Sequence, residues 1–202
     1  MAKIGDAGIY LIDGGTPSRR LSDILSEINP SRVCAPERFA EKAKECAASL
    51  NVPFKLEPAL RGWSADRGEE SKDARDNLRR FSSPGWRDTP PIGGGEPFVE
   101  YQLRVLEALN DMLDIFGLYH RSLALLTDRR TMSLVEAWLD GGKKKVGSEL
   151  ELRDDMPSDS ALRVYKERGD GWSAERCEGN DKAKRGSTDD EADEDAEAED
   201  AG

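Results

Sequence analysis

Apolar residues fall along this chain in short blocks that alternate between two spacings. Ile9, Tyr10, Leu11 and Ile12 are consecutive, as in a strand covered on both faces, and glycines stop the run. After Pro17-Ser18, residues Leu21, Ile24, Leu25 and Ile28 recur at helical spacing. Asn29-Pro30 closes that helix, because proline disfavours the α conformation in the residue before it. Residues 32–35 read as a second strand, an alanine-rich run from Pro36 to Leu50 as a second helix, and residues 52–56 as a third strand. The order β-α-β-α-β predicts a mostly parallel sheet covered by helices.

The pattern then changes. Residues 61–95 are polar and rich in Gly, Pro and charge, with one helix expected over 72–81, and read as an excursion over one end of the sheet. Residues 96–116 form a long amphipathic helix, with Phe98, Leu103, Leu106, Leu109, Met112, Leu113 and Phe116 predicted to face inward. Residues 122–127 (SLALLT) read as a buried strand and 131–139 as another helix. Residues 150–152 and 161–165 are weaker strand candidates. After about Glu167 the apolar pattern fades. These spans predict one α/β domain over 1–166, three layers with a mostly parallel sheet flanked by helices, and a disordered acidic C-terminal tail over 167–202.

Charge supports the tail. The chain has 202 residues and a formal net charge of -11, yet nine acids and no base lie between Ser187 and Gly202. Without them the remainder is close to neutral. Such a run repels itself and has nothing to bury. No apolar stretch reaches membrane-spanning length, and the N-terminus lacks a secretory layout, so a cytoplasmic setting is expected. Cys34, Cys46 and Cys177 are an odd number without metal-type spacing, which favours reduced thiols. Gly62-Trp63-Ser64-Ala65-Asp66-Arg67 nearly recurs at Gly171-Trp172-Ser173-Ala174-Glu175-Arg176, an echo too short for a structural repeat.

Four segments in order carry a resemblance. "IYLIDGGTP", "APERFA", "GGGEPFVEYQLRVLEAL" and "LALLTDRR" sit where members of the histidine phosphatase superfamily, with the phosphoglycerate mutase-like fold, carry Arg-His-Gly-Glu-Thr, Ser-Pro-x-x-Arg-Ala, Gly-Glu-Ser-Phe and Val-Thr-His-Gly. The resemblance spans roughly residues 7 to 165. It places Asp13 at the family's arginine, Gly14 at the nucleophilic histidine and Gly15 at the following glycine. Phe39 falls at a second arginine, Glu96 at the acid of the long helix and Asp128 at the second histidine.

The family's chemistry, as the resemblance implies it, needs a histidine that attacks phosphorus and cations that hold phosphoryl oxygens. Gly14 has no side chain to attack with. The only histidine, His120, precedes a strand rather than ending one. Asp13 and Asp128 replace phosphate-binding groups with carboxylates. A like-charge pair at 4 Å opposes binding by about 4 kcal/mol at an effective dielectric near 20. Arg38, Arg61, Arg129 and Arg130 are candidates to offset this, against the simpler reading of solvated or ion-paired arginines. Asp13, Asp128 and Glu96 are also considered as a Mg²⁺ or Ca²⁺ set, but no Asp-x-Asp spacing supports it, and a solvated acidic patch or an ion pair with Arg129 is favoured.

The resulting expectation is a catalytically inactive histidine-phosphatase-like protein, without metal or cofactor, acting as a binding or scaffold module for an unidentified protein or small ligand. Its altered site would prefer a neutral or cationic group over phosphate. The alternative is an active phosphomonoester hydrolase with a rebuilt, possibly metal-assisted site. Nucleic acid is disfavoured, because there is no basic stripe and the tail would repel phosphates. A membrane partner is not expected, and the oligomeric state is left open.

Overall fold

The computed structural model describes residues 8–63, 80–83, 85–91, 94–117, 122–140, 162–168 and 171–175. Strand β1 (Gly8–Asp13) leads into helix α1 (Ser18–Ile28), then β2 (Arg32–Ala35), α2 (Glu37–Ser49), β3 (Phe54–Leu56) and a 3₁₀ turn (Pro58–Leu60). Helix α3 (Phe98–Gly117), β4 (Leu123–Thr127), α4 (Arg129–Asp140), β5 (Leu162–Arg168) and β6 (Gly171–Glu175) complete the order. The six strands form one sheet in the order β3-β2-β4-β1-β5-β6. The first four are mutually parallel, and β5 and β6 add an antiparallel margin. The architecture is the mostly parallel, helix-flanked α/β sheet expected.

Strand alternation sorts side chains to two faces. Ile9, Leu11, Cys34, Leu123, Leu125 and Tyr165 pack with α3 and α4 on one side. Ile12, Val33, Ala35, Ala124 and Leu126 pack with α1 and α2 on the other. The five residues of β4 are all buried, as a central strand with both faces covered requires.

Helix ends follow local chemistry. Asn29 takes a left-handed conformation at the end of α1, and its N–H donates to the Leu25 carbonyl at 2.9 Å. Gly94 and Gly95, just before α3, have φ of 103° and 110°, a region costly for any residue with a Cβ. The buried face of α3 is Phe98, Tyr101, Gln102, Val105, Leu106, Leu109, Met112 and Leu113. Leu103, predicted to face inward, is instead exposed, because it lies off that stripe. Helix α4 begins two residues earlier than its apolar pattern suggested.

The C-terminal boundary moves. β5 continues to Arg168 and β6 pairs with it through Glu175, so the domain does not end at 166. The second Gly-Trp-Ser-Ala segment is thus a strand, whereas Gly62 and Trp63, the described residues of the first, are not in one. The expected strand at 150–152, most of the expected helix at 72–81, His120 and residues 176–202 lie outside the described residues.

Candidate functional site

The parallel strands end together, and the resemblance places its site there. Asp13 closes β1 opposite Thr127, the last residue of β4, so Asp13 and Asp128 do end adjacent strands. The Gly14 N–H donates to the Thr127 carbonyl at 2.6 Å, and the Thr127 hydroxyl donates to the Leu60 carbonyl at 2.7 Å. These bonds fix the loop after β1 to β4 and β4 to the 3₁₀ turn. Lys42 of α2 adds a third tie by donating to the carbonyls of Gly14 (2.5 Å) and Thr16 (2.8 Å).

Each carboxylate at this edge has a partner within the protein. Asp13 accepts the Gly15 N–H at 2.9 Å and the Arg129 Nε at 2.8 Å. Asp128 caps α4: its Oδ1 accepts the N–H groups of Arg130 (3.0 Å) and Thr131 (3.1 Å), and its Oδ2 accepts the Thr131 hydroxyl at 2.8 Å. Glu96 receives both Nε and Nη2 of Arg104, with Arg61 at 3.7 Å. Arg104 also donates to the carbonyls of Ala59 (2.6 Å) and Arg61 (3.2 Å), which binds α3 to the 3₁₀ turn.

Behind Asp128 a buried chain of hydroxyls runs into the core. The Thr131 proton goes to Asp128, so the Tyr101 hydroxyl, 3.0 Å from Thr131 Oγ1, must be the donor there. Burial, with the Asp128 charge adding to it, pushes the Tyr101 phenol far above its ordinary range and keeps it protonated for this role.

Gly14 is closed off sterically. A Cβ built on it would lie 2.4 Å from the Cε2 and Cζ atoms of Phe39. The Phe39 ring therefore occupies the room that any side chain at 14 would need. Arg38 lies 5.6 Å and Lys42 5.8 Å from the centre of that ring. Gly62 is equally tight, with a virtual Cβ 2.6 Å from Asp128 Oδ2. Among the described residues, no group of three or more His, Cys, Asp or Glu side chains could hold a metal ion.

The fold has close structural counterparts. A mycobacterial glucosyl-3-phosphoglycerate phosphatase superposes with a TM-score of 0.58 over 84% of this chain and 97% of its own, at 12% identity. The alpha-ribazole phosphatase of Shigella flexneri gives 0.57 over 83% and 94%, at 14% identity. YhfR of Bacillus stearothermophilus gives 0.56 over 83% and 95%, at 16% identity. The chain has the histidine phosphatase fold. No protein-family model and no curated protein sequence matches it.

On this histidine phosphatase fold, the positions singled out from sequence gather at one strand-end edge. Asp13, Gly14, Gly15 and Phe39 meet directly; Asp128 touches Gly62; Glu96 joins through Arg61 and Arg104. Arg38, Arg61 and Arg129 stand beside Phe39, Glu96 and Asp13 respectively. Of the two readings favoured for the aspartates, the ion pair with Arg129 is present at Asp13, and the α4 N-terminus faces Asp128. Lys42, Arg104, Thr131 and Tyr101 carry much of the geometry and were not singled out. The Asp-x-x-Thr sequence ahead of α4 is a helix-start signal that could have identified the cap.

Proposed function

We propose that this chain is a histidine-phosphatase fold without phosphoryl-transfer chemistry, retained as a binding or scaffold module. The observation that carries the reading is the Phe39 ring packed where a side chain at Gly14 would stand. A covalent route needs a nucleophile there, and neither the residue nor the room exists. The role of Asp128 supports the same reading. Its two oxygens are taken by the α4 N-terminus and Thr131, which leaves it structural work rather than water activation.

Hydrolysis of p-nitrophenyl phosphate, measured with and without Mg²⁺, Mn²⁺ and Zn²⁺, tests this. The expected rate equals that of buffer under every condition. Turnover that Asp128→Asn abolishes would overturn the proposal, because asparagine preserves a helix cap and removes only the carboxylate.

A further inference from the structure

Gln102 is fully buried on α3, and neither end of its carboxamide has a hydrogen-bond partner among the described residues. Burying an amide unpaired is costly, so the group favours any local state in which it regains water. Side chains on a helix lean toward its N-terminus, which carries the Gln102 amide over the turn that holds Phe98 and Val99. Arg87 covers that turn. Its carbonyl accepts the Val99 N–H at 3.1 Å and so caps α3, and its guanidinium lies 5.5 Å from the centre of the Phe98 ring.

We propose that residues 85–91 are a hinged cover over the start of α3, poised to open because closing it leaves Gln102 unpaired. Arg87 and Pro91 are buried, whereas Trp86, Asp88, Thr89 and Pro90 between and beside them are exposed. The Thr89 N–H bonds the Trp86 carbonyl at 3.0 Å, inside the segment, so that bond survives when the segment lifts. Glycines serve both ends: Gly85 begins the cover and Gly94 follows it. A Cβ on either would meet nothing within 4 Å, and Gly94 has a φ of 103°, so both positions have room to turn. The cover rests on the cluster that positions Glu96. The Phe98 ring meets Trp63 edge to face at 4.9 Å, and Trp63 Nε1 donates to the Glu96 carbonyl at 2.9 Å. Opening uncaps α3, bares the Phe98 ring and gives the Gln102 amide water to bond. A ligand that reaches this side of the site does so with the cover open, and holds it open.

Opening is read by hydrogen exchange, followed by NMR on the full chain, whether or not the chain turns over phosphate esters. In the natural chain the Val99 N–H and the Gln102 side-chain amide are expected to show similar protection. Both should be at least about tenfold less protected than the Leu109 N–H in the middle of α3. Gln102→Leu removes the unpaired amide and should raise Val99 protection about tenfold. Gln102→Met should do the same, which separates loss of the amide from any packing effect peculiar to leucine. Arg87→Met keeps the carbonyl cap but loses the guanidinium contact, and should lower Val99 protection while leaving Leu109 unchanged. Val99 as protected as Leu109 in the natural chain, or unmoved by both substitutions at 102, would overturn the proposal.

Discussion

Gly14 and Phe39 are a matched pair. The φ of Gly14 is not positive, so its backbone suits any residue and only the ring opposes a side chain. Gly14→Ala should therefore cost about 1–3 kcal/mol by overpacking, and less than about 1 kcal/mol in a Phe39→Ala background. Urea denaturation of the four chains measures the coupling. A second residue-level prediction concerns Cys34, which is fully buried and whose thiol is pushed up to about 11 by that burial. The unfolded thiol ionises near 9.0, so below that pH its contribution is complete. As pH rises from there through about 11, the native state loses on the order of 2–3 kcal/mol relative to the unfolded one. Cys34→Ala should flatten that part of a stability–pH curve, and the native thiol should resist alkylation at pH 8.

Two elements meet the site through their ends. Asp128→Ala should remove the α4 cap and cost about 1–2 kcal/mol, while Asp128→Asn should cost a few tenths, on the order of the spread among good caps. Helical circular dichroism and thermal unfolding distinguish them. Arg104→Met strips the α3 start of its link to the 3₁₀ turn and leaves Glu96 with the longer Arg61 contact, at a cost of about 2 kcal/mol given the partial exposure of the pair. The central strands were legible because both faces are covered, which writes continuous apolar runs such as "LALLT" into the sequence. α3 was legible as a helix but not in its exact face: Tyr101 and Gln102 are buried despite polar tips, and Leu103 is exposed despite none. β6 was missed because Lys166, Glu167 and Arg168 hide the alternation, although Gly169-Asp170 between the two runs is a hairpin signal. The site positions were legible from their order along the chain. Their ion pairs were not, because contacts such as Arg129 with Asp13 join residues far apart in sequence.

At the scale of the whole molecule, the sheet extends past the boundary that hydropathy suggests, and a length series shows this. A chain ended at Glu175 retains all six strands and should unfold within about 2 °C of the full chain. A chain ended at Lys166 strips β6, bares the β5 edge, and should melt lower and aggregate, as size-exclusion chromatography would show. The interlock at Gly14 has a consequence at this scale too. A side chain fits position 14 only once the Phe39 ring has moved or been replaced. Filling 14 and emptying 39 are thus two halves of one exchange: the first alone overpacks the loop after β1, and the second alone leaves a hole beside it.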